Sequence, residues 1–189
     1  MARALPLLLA ALLLGVPGCG DDEEEPEERS DRPAAPPSGW RTVENGPAGF
    51  TLAVPRSWRA RTNGNVTLIR SEDRLVVVTI AADRSKAAKE LAPATYARRT
   101  VEALPGFEGS ISIRVRPVRG SPYRTARVEA SGTVRTSRRA QRITVVAFQR
   151  PGQATYAAVV FRNPRFDPRF DEPALSRMLR TLRARPPGA

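Results

Sequence analysis

Histidine is absent from all 189 residues, and cysteine occurs once. Without imidazole the commonest general base is missing, and with it the Ser-His-Asp type of triad and most transition-metal sites. A lone cysteine excludes an intramolecular disulfide framework, so the fold must hold by its core. Lysine is nearly as scarce, since Lys86 and Lys89 are the only two among 31 basic residues. Codon usage in a GC-rich genome accounts for such an arginine excess, which by itself is weak evidence for an anionic partner. No Gly-rich phosphate loop, nucleophile elbow or Ser-x-x-Lys pattern occurs. Nor does any apolar run approach the roughly 20 residues a membrane-spanning helix needs.

What is present begins with an address. Arg3 supplies a positive start, and Leu5 to Val16 form an apolar stretch of 12 residues, the length of a signal-peptide core. It ends in Val16-Pro17-Gly18-Cys19, which resembles the lipobox of bacterial lipoproteins: an aliphatic residue, a variable one, a small one, then cysteine. The resemblance implies that residues 1–18 are removed and that the Cys19 thiol carries a diacylglyceryl group, with the new amino terminus acylated, palmitate among the chains. Two or more acyl chains suffice for stable anchoring, at about 0.8 kcal/mol per buried CH₂. An ordinary secretory signal, with Cys19 incidental, is the plainer alternative. The expected location is the extracytoplasmic face of the cell membrane.

From Cys19 to Gly39 follows an acidic and proline-rich tether. Its residues Gly20 to Gly39 hold no large apolar side chain, so they cannot bury enough surface to offset the entropy of ordering and are expected to be disordered. Residues 1–39 contain three arginines against eight acids, a net charge of −5, whereas 40–189 hold 28 basic and 11 acidic residues, a net +17. Fully extended, the tether would reach about 65 Å.

Periodicity marks out residues 40–185 as one domain, with 186–189 as a short tail. Gly49 to Pro55, Val66 to Arg70 and Leu75 to Ala82 read as three strands of an antiparallel meander, separated by turns at Asn63-Gly64-Asn65 and Glu72-Asp73. Leu75 to Ala82 is apolar at nearly every position, as suits a central strand covered on both faces. Pro93 is placed to start a helix carrying Tyr96, Ala97, Thr100, Val101 and Leu104 at helical spacing, which Pro105-Gly106 stops. Residues 111–118 alternate, with Ile111, Ile113 and Val115 inward and Arg114 and Arg116 outward. Tyr123 to Val134, Arg142 to Arg150 and Ala154 to Arg162 make three further strands, the last pair joined by Pro151-Gly152. Leu175, Met178, Leu179 and Leu182 form one stripe on a terminal helix entered through Asp171-Glu172-Pro173. The expected fold is α+β, an α/β/α sandwich of six to seven mainly antiparallel strands with one helix on each face.

The stretch Gly49 to Trp58, the helix ending Leu104-Pro105-Gly106-Phe107, the three-strand run and the closing helix together resemble the PsbP-like domain over about residues 40–185. That family includes a photosystem II extrinsic subunit and many bacterial lipoproteins. The resemblance implies a non-enzymatic domain that helps assemble or regulate a larger complex, with Pro55 shaping a turn and Trp58 filling the core. It implies no cofactor and transfers no metal or partner site.

Two side-chain groups remain as candidates for chemistry. Asp167, Asp171 and Glu172 are the tightest acid group, expected to cap the final helix and alternatively to serve a carboxylate-dependent envelope hydrolase. Arg135, Arg138, Arg139 and Arg142 cluster about a hairpin connection and could grip phosphate or carboxylate groups of an anionic lipid, a wall polymer or an envelope protein. No aromatic residue interleaves them, so no nucleic acid is expected. Asn65-Val66-Thr67 matches a glycosylation acceptor that a bacterial lipoprotein seldom uses. The function expected from all this is a membrane-anchored, non-catalytic binding or accessory module.

Overall fold

The computed structural model describes residues 35–112, 117–118, 121–134, 140–150, 153–165 and 168–185. A first hairpin pairs β1 (Trp40–Asn45) with β2 (Phe50–Pro55) in the register Asn45 opposite Phe50. Its loop is closed by Gly49 at φ +71°, a conformation that suits glycine. Asn45 is fully buried there: its Oδ1 accepts from the Ala48 N–H at 2.9 Å and its Nδ2 donates to Thr67 Oγ1 at 3.0 Å. The loop is thus tied to the neighbouring sheet.

That neighbour is a seven-stranded antiparallel sheet. Its members are β3 (Arg59–Asn63), β4 (Val66–Arg70), β5 (Val76–Asp83), β6 (Phe107–Ser112), β7 (Arg124–Val134), β8 (Ala140–Gln149) and β9 (Thr155–Arg162). They lie in the order β3-β4-β5-β9-β8-β7-β6. The meander of the sequence reading therefore exists, but its first strand is β3 and not β2. Arg59 to Asn63 has no apolar periodicity to announce it, and the two-residue turn Gly64-Asn65 pairs it with β4. β2 instead sits between β1 and β10 (Arg183–Ala184) in a second, three-stranded sheet. The strand expected over 111–118 begins earlier, at Phe107, and 113–116 lie outside the described residues. Within it Gly109 faces Gly132 of β7, where a Cβ on either would stand 2.3 Å from an opposing backbone oxygen, and the Phe107 ring covers the pair.

Among the described residues there are three helices: α1 (Lys86–Glu90), α2 (Pro93–Glu102) and α3 (Pro168–Arg180). α2 begins at Pro93 as its sequence demands and lays Ala97 and Val101 on Val128, Ala130, Ile143, Val145 and Ala147. α3 carries Leu175, Met178 and Leu179 into the other core, followed by Leu182 just past its end, against Phe50, Leu52, Val54, Val78, Ile80 and Phe148. It starts five residues ahead of the predicted entry, at Pro168, and Pro173 lies inside it. Proline is equally fitted to the first helical position at either site, and the sequence pattern chose the wrong one. α1, five residues long, escapes the periodic pattern and is held from outside. Gln149 Nε2 donates to the carbonyls of Lys89 (2.8 Å) and Leu91 (3.0 Å), and Thr155 Oγ1 to that of Ala88 (2.8 Å), meeting acceptors a helix end leaves open.

The layers are unequal. One face of the large sheet is covered by α3 and the small sheet. On the other, α2 packs on β7 and β8, and the faces of β3, β4 and β5 carry no helix among the described residues. β5 accordingly alternates, with Val76, Val78, Ile80 and Ala82 buried and Val77, Thr79 and Ala81 half-exposed. Its expected burial on both faces is corrected: apolar composition does not disclose whether a layer lies above.

Candidate functional site

Of the candidate residues, Cys19, Arg135, Arg138, Arg139 and Asp167 lie outside the described residues, as does the side chain of Asp171. Arg142 is exposed and stands within β8, cross-strand from Ser131 of β7 and Arg162 of β9. Glu172 does not cap α3. Because the helix begins at Pro168, Glu172 falls within it and turns onto the sheet, where its Oε2 accepts from Arg162 Nη2 at 2.8 Å and its Oε1 from Arg127 Nη1 at 3.2 Å. Arg162 also donates through Nη1 to Thr144 Oγ1 at 2.6 Å, and Arg127 Nε stands 3.1 Å from Glu129 Oε1. Burial pulls the Arg162 guanidinium below its ordinary value, and the Glu172 carboxylate pulls it back. The outcome is a charged clamp between helix and sheet.

The turn acids behave as their sequence suggests. Asp73 Oδ1 accepts from Ser71 Oγ at 2.5 Å and from the Leu75 N–H at 2.9 Å. Thr67 of the Asn65-Val66-Thr67 triplet is fully buried within β4.

A hollow of about 470 Å³ opens at the end of β5 and is lined by Asn65, Ala81, Ala82, Asp83, Arg84 and Tyr96. The Tyr96 hydroxyl donates to Asp83 Oδ2 at 3.1 Å, and the Ser85 N–H to Asp83 Oδ1 at 2.9 Å. Burial pushes the Asp83 carboxyl up, but the hydrogen bonds from Ser85 and Tyr96 outweigh it and leave the group below its usual range. Burial and the Asp83 charge together push the Tyr96 phenol well up. Tyr96 stays a neutral donor and Asp83 a charged acceptor at neutral pH, with Arg84 beside them. Such a hollow can hold a polar group, and Asp83 is the single acid among the described residues that line it. The sequence reading placed Tyr96 in an apolar stripe and did not foresee this hollow. The adjacency of Asp83-Arg84 to a strand end was the available signal.

Seven antiparallel strands, a three-stranded sheet with α3 on one face and α2 on the other define a mixed α+β fold of the PsbP-like class. The solution structure of cyanobacterial PsbP from Synechocystis sp. PCC 6803 matches it at a TM-score of 0.55 and 8% identity, over 77% of this chain and 92% of that one. A crystal structure from Bacteroides thetaiotaomicron matches at 0.52 and 12% identity over 80% of this chain, which spans half (50%) of that protein's length. No protein-family model and no curated protein matches the chain. Among the described residues no helix is long and apolar enough to cross a membrane.

Proposed function

We propose that this chain is a lipid-anchored module on the outer face of the cytoplasmic membrane, acting by binding and not by catalysis. The observation that carries the second half is Glu172: of the group Asp167, Asp171 and Glu172 that a hydrolase would draw on, this acid is committed to Arg127 and Arg162 and holds α3 on the sheet. The PsbP-like fold supports an accessory role, as the family resemblance implies. The anchor rests on the junction of the leader with Cys19. Replacing this residue tests it: wild-type protein takes up labelled palmitate in producing cells, and Cys19→Ser takes up none. Equal labelling of the two overturns the anchor.

The arginines at 135, 138, 139 and 142 are the grip this module offers to phosphate-bearing polyanions. A basic side chain near an anionic surface contributes about 1 kcal/mol. The quadruple Arg→Ala variant is therefore expected to bind anionic vesicles and teichoic-type polymer at least tenfold more weakly at low salt, with a shallower salt dependence. Loss on vesicles alone assigns the grip to lipid, and loss on polymer alone to the wall. Equal affinity and equal salt dependence dispose of a dedicated site.

A further inference from the structure

The half of the large sheet that no described helix covers is built in rows. Opposed residues of antiparallel strands share a face, so the α2 face can be followed from one strand to the next. One row runs Ile143, Phe161, Val77, Arg70, Arg59. The next runs Val145, Val159, Thr79, Leu68, Arg61, and a third Ala147, Ala157, Ala81, Val66, Asn63. Along each, the side chains pass from fully buried beneath α2, through half-exposed on β5 and at Leu68 and Val66 of β4, to exposed at Arg70 and on β3. Apolar rows therefore emerge from under the helix, and two of the three end in arginine.

The arginines are placed against local stability. Arg59 and Arg70 face each other directly across β3 and β4, an arrangement of like charges that destabilises a sheet. No carboxylate among the described residues forms an ion pair with Arg59, Arg61 or Arg70. Conflicts of this kind are expected where function outweighs folding.

The dimensions select the occupant. Three strands at about 4.8 Å spacing make a shelf roughly 14 Å wide beside α2, and a helix with its side chains is about 10–12 Å across. A flat bilayer would meet α2 and the arginine edge before it reached the recessed Val66, Leu68, Val77 and Phe161. A second copy of this chain would set arginine against arginine.

We infer that this shelf docks an amphipathic helix of a partner protein, lying alongside α2, whose apolar stripe covers Leu68, Val77 and Phe161 and whose Asp or Glu edge meets Arg59, Arg61 and Arg70. The recognition is helix-in-groove with a charged rim. It rests on the binding-module reading above and is independent of the anchor.

The test uses the full-length protein in mild detergent and two fluorescent helical 20-mers that share one Leu/Ile/Ala stripe, edged by Glu in one and by Lys in the other. The Glu-edged peptide is expected to bind, and Arg59→Glu/Arg70→Glu to weaken it on the order of tenfold or more while favouring the Lys-edged peptide. Leu68→Ser/Val77→Ser should weaken both peptides without reversing the preference. Arg180→Glu/Arg183→Glu, outside the shelf and with the same change in net charge, should leave the preference intact. Equal effects of the two charge-reversal pairs, or no binding of either peptide, overturn the site; the vesicle and polymer assays of the quadruple Arg→Ala variant would still report whether the chain is a binding module. Concentration-dependent dimerisation abolished by Arg59→Glu/Arg70→Glu, or vesicle binding abolished by it with no peptide preference, gives the shelf to another occupant and overturns the proposal equally.

Discussion

Glu172→Leu is expected to cost the domain about 3–5 kcal/mol of folding free energy, the usual consequence of removing one partner from a buried ion pair. In a domain of this size that corresponds to a fall of roughly 6–20 °C in melting temperature. The Arg162 side chain is only 6% exposed, so the variant leaves a desolvated guanidinium facing leucine, with Arg127 beside it. The cost belongs to the desolvation of a guanidinium that has lost this carboxylate as well as to the lost attraction. Arg162→Met together with Glu172→Leu should therefore recover at least half of the loss, since apolar replacement of both partners is often neutral. Thermal and urea melts followed by circular dichroism measure both variants. A single variant as stable as wild type, or a double variant worse than the single, would remove the clamp from the account of the fold.

Phe148→Ala should be about as damaging, at about 3–5 kcal/mol. Phe148 is fully buried in the core beneath α3 and meets Tyr123 edge-on, with ring centroids 6.3 Å apart and planes at 88°. Its deletion opens a cavity that a close-packed interior cannot close. Phe161 is the informative control, because it has the same chemistry on the same sheet but is half-exposed where the α2 layer ends. Phe161→Ala should cost less than half as much. Equal losses at the two positions would mean that the bare half of the sheet is covered after all.

The parts of this architecture that could be read from the sequence are those whose causes are local. α2 announces itself by Pro93 and an apolar stripe, and β8 and β9 by apolar runs too continuous for a one-sided sheet. The stripe of Leu175, Met178 and Leu179 placed the last helix but not its start, and that error turned Glu172 from a clamp into a supposed cap. β3 was invisible because Arg59 to Asn63 offers no apolar face, and its existence rests on a turn and a partner strand. β10 is two residues long and exists only because β2, more than a hundred residues earlier, has an edge to pair. The shelf was hidden for a related reason. Val77 and Ala81 look like core in the sequence, and only the finite length and position of α2 leave them uncovered.

The small sheet has a topological consequence. β2 is flanked by the first strand of the domain and by its last, and Ala35, Pro36, Pro37 and Arg183 line the same cleft of about 200 Å³. The backbone enters β1 opposite Pro55, at one end of β2, and leaves β10 at the other end, where the Arg185 N–H donates to the Gly49 carbonyl at 2.8 Å. Such a chain can be re-threaded: a linker that runs the length of β2 could join the two ends and a new start could be opened at the exposed Gly64-Asn65 turn with every layer intact. Nature's order of the strands is then one of several that the same contacts would support.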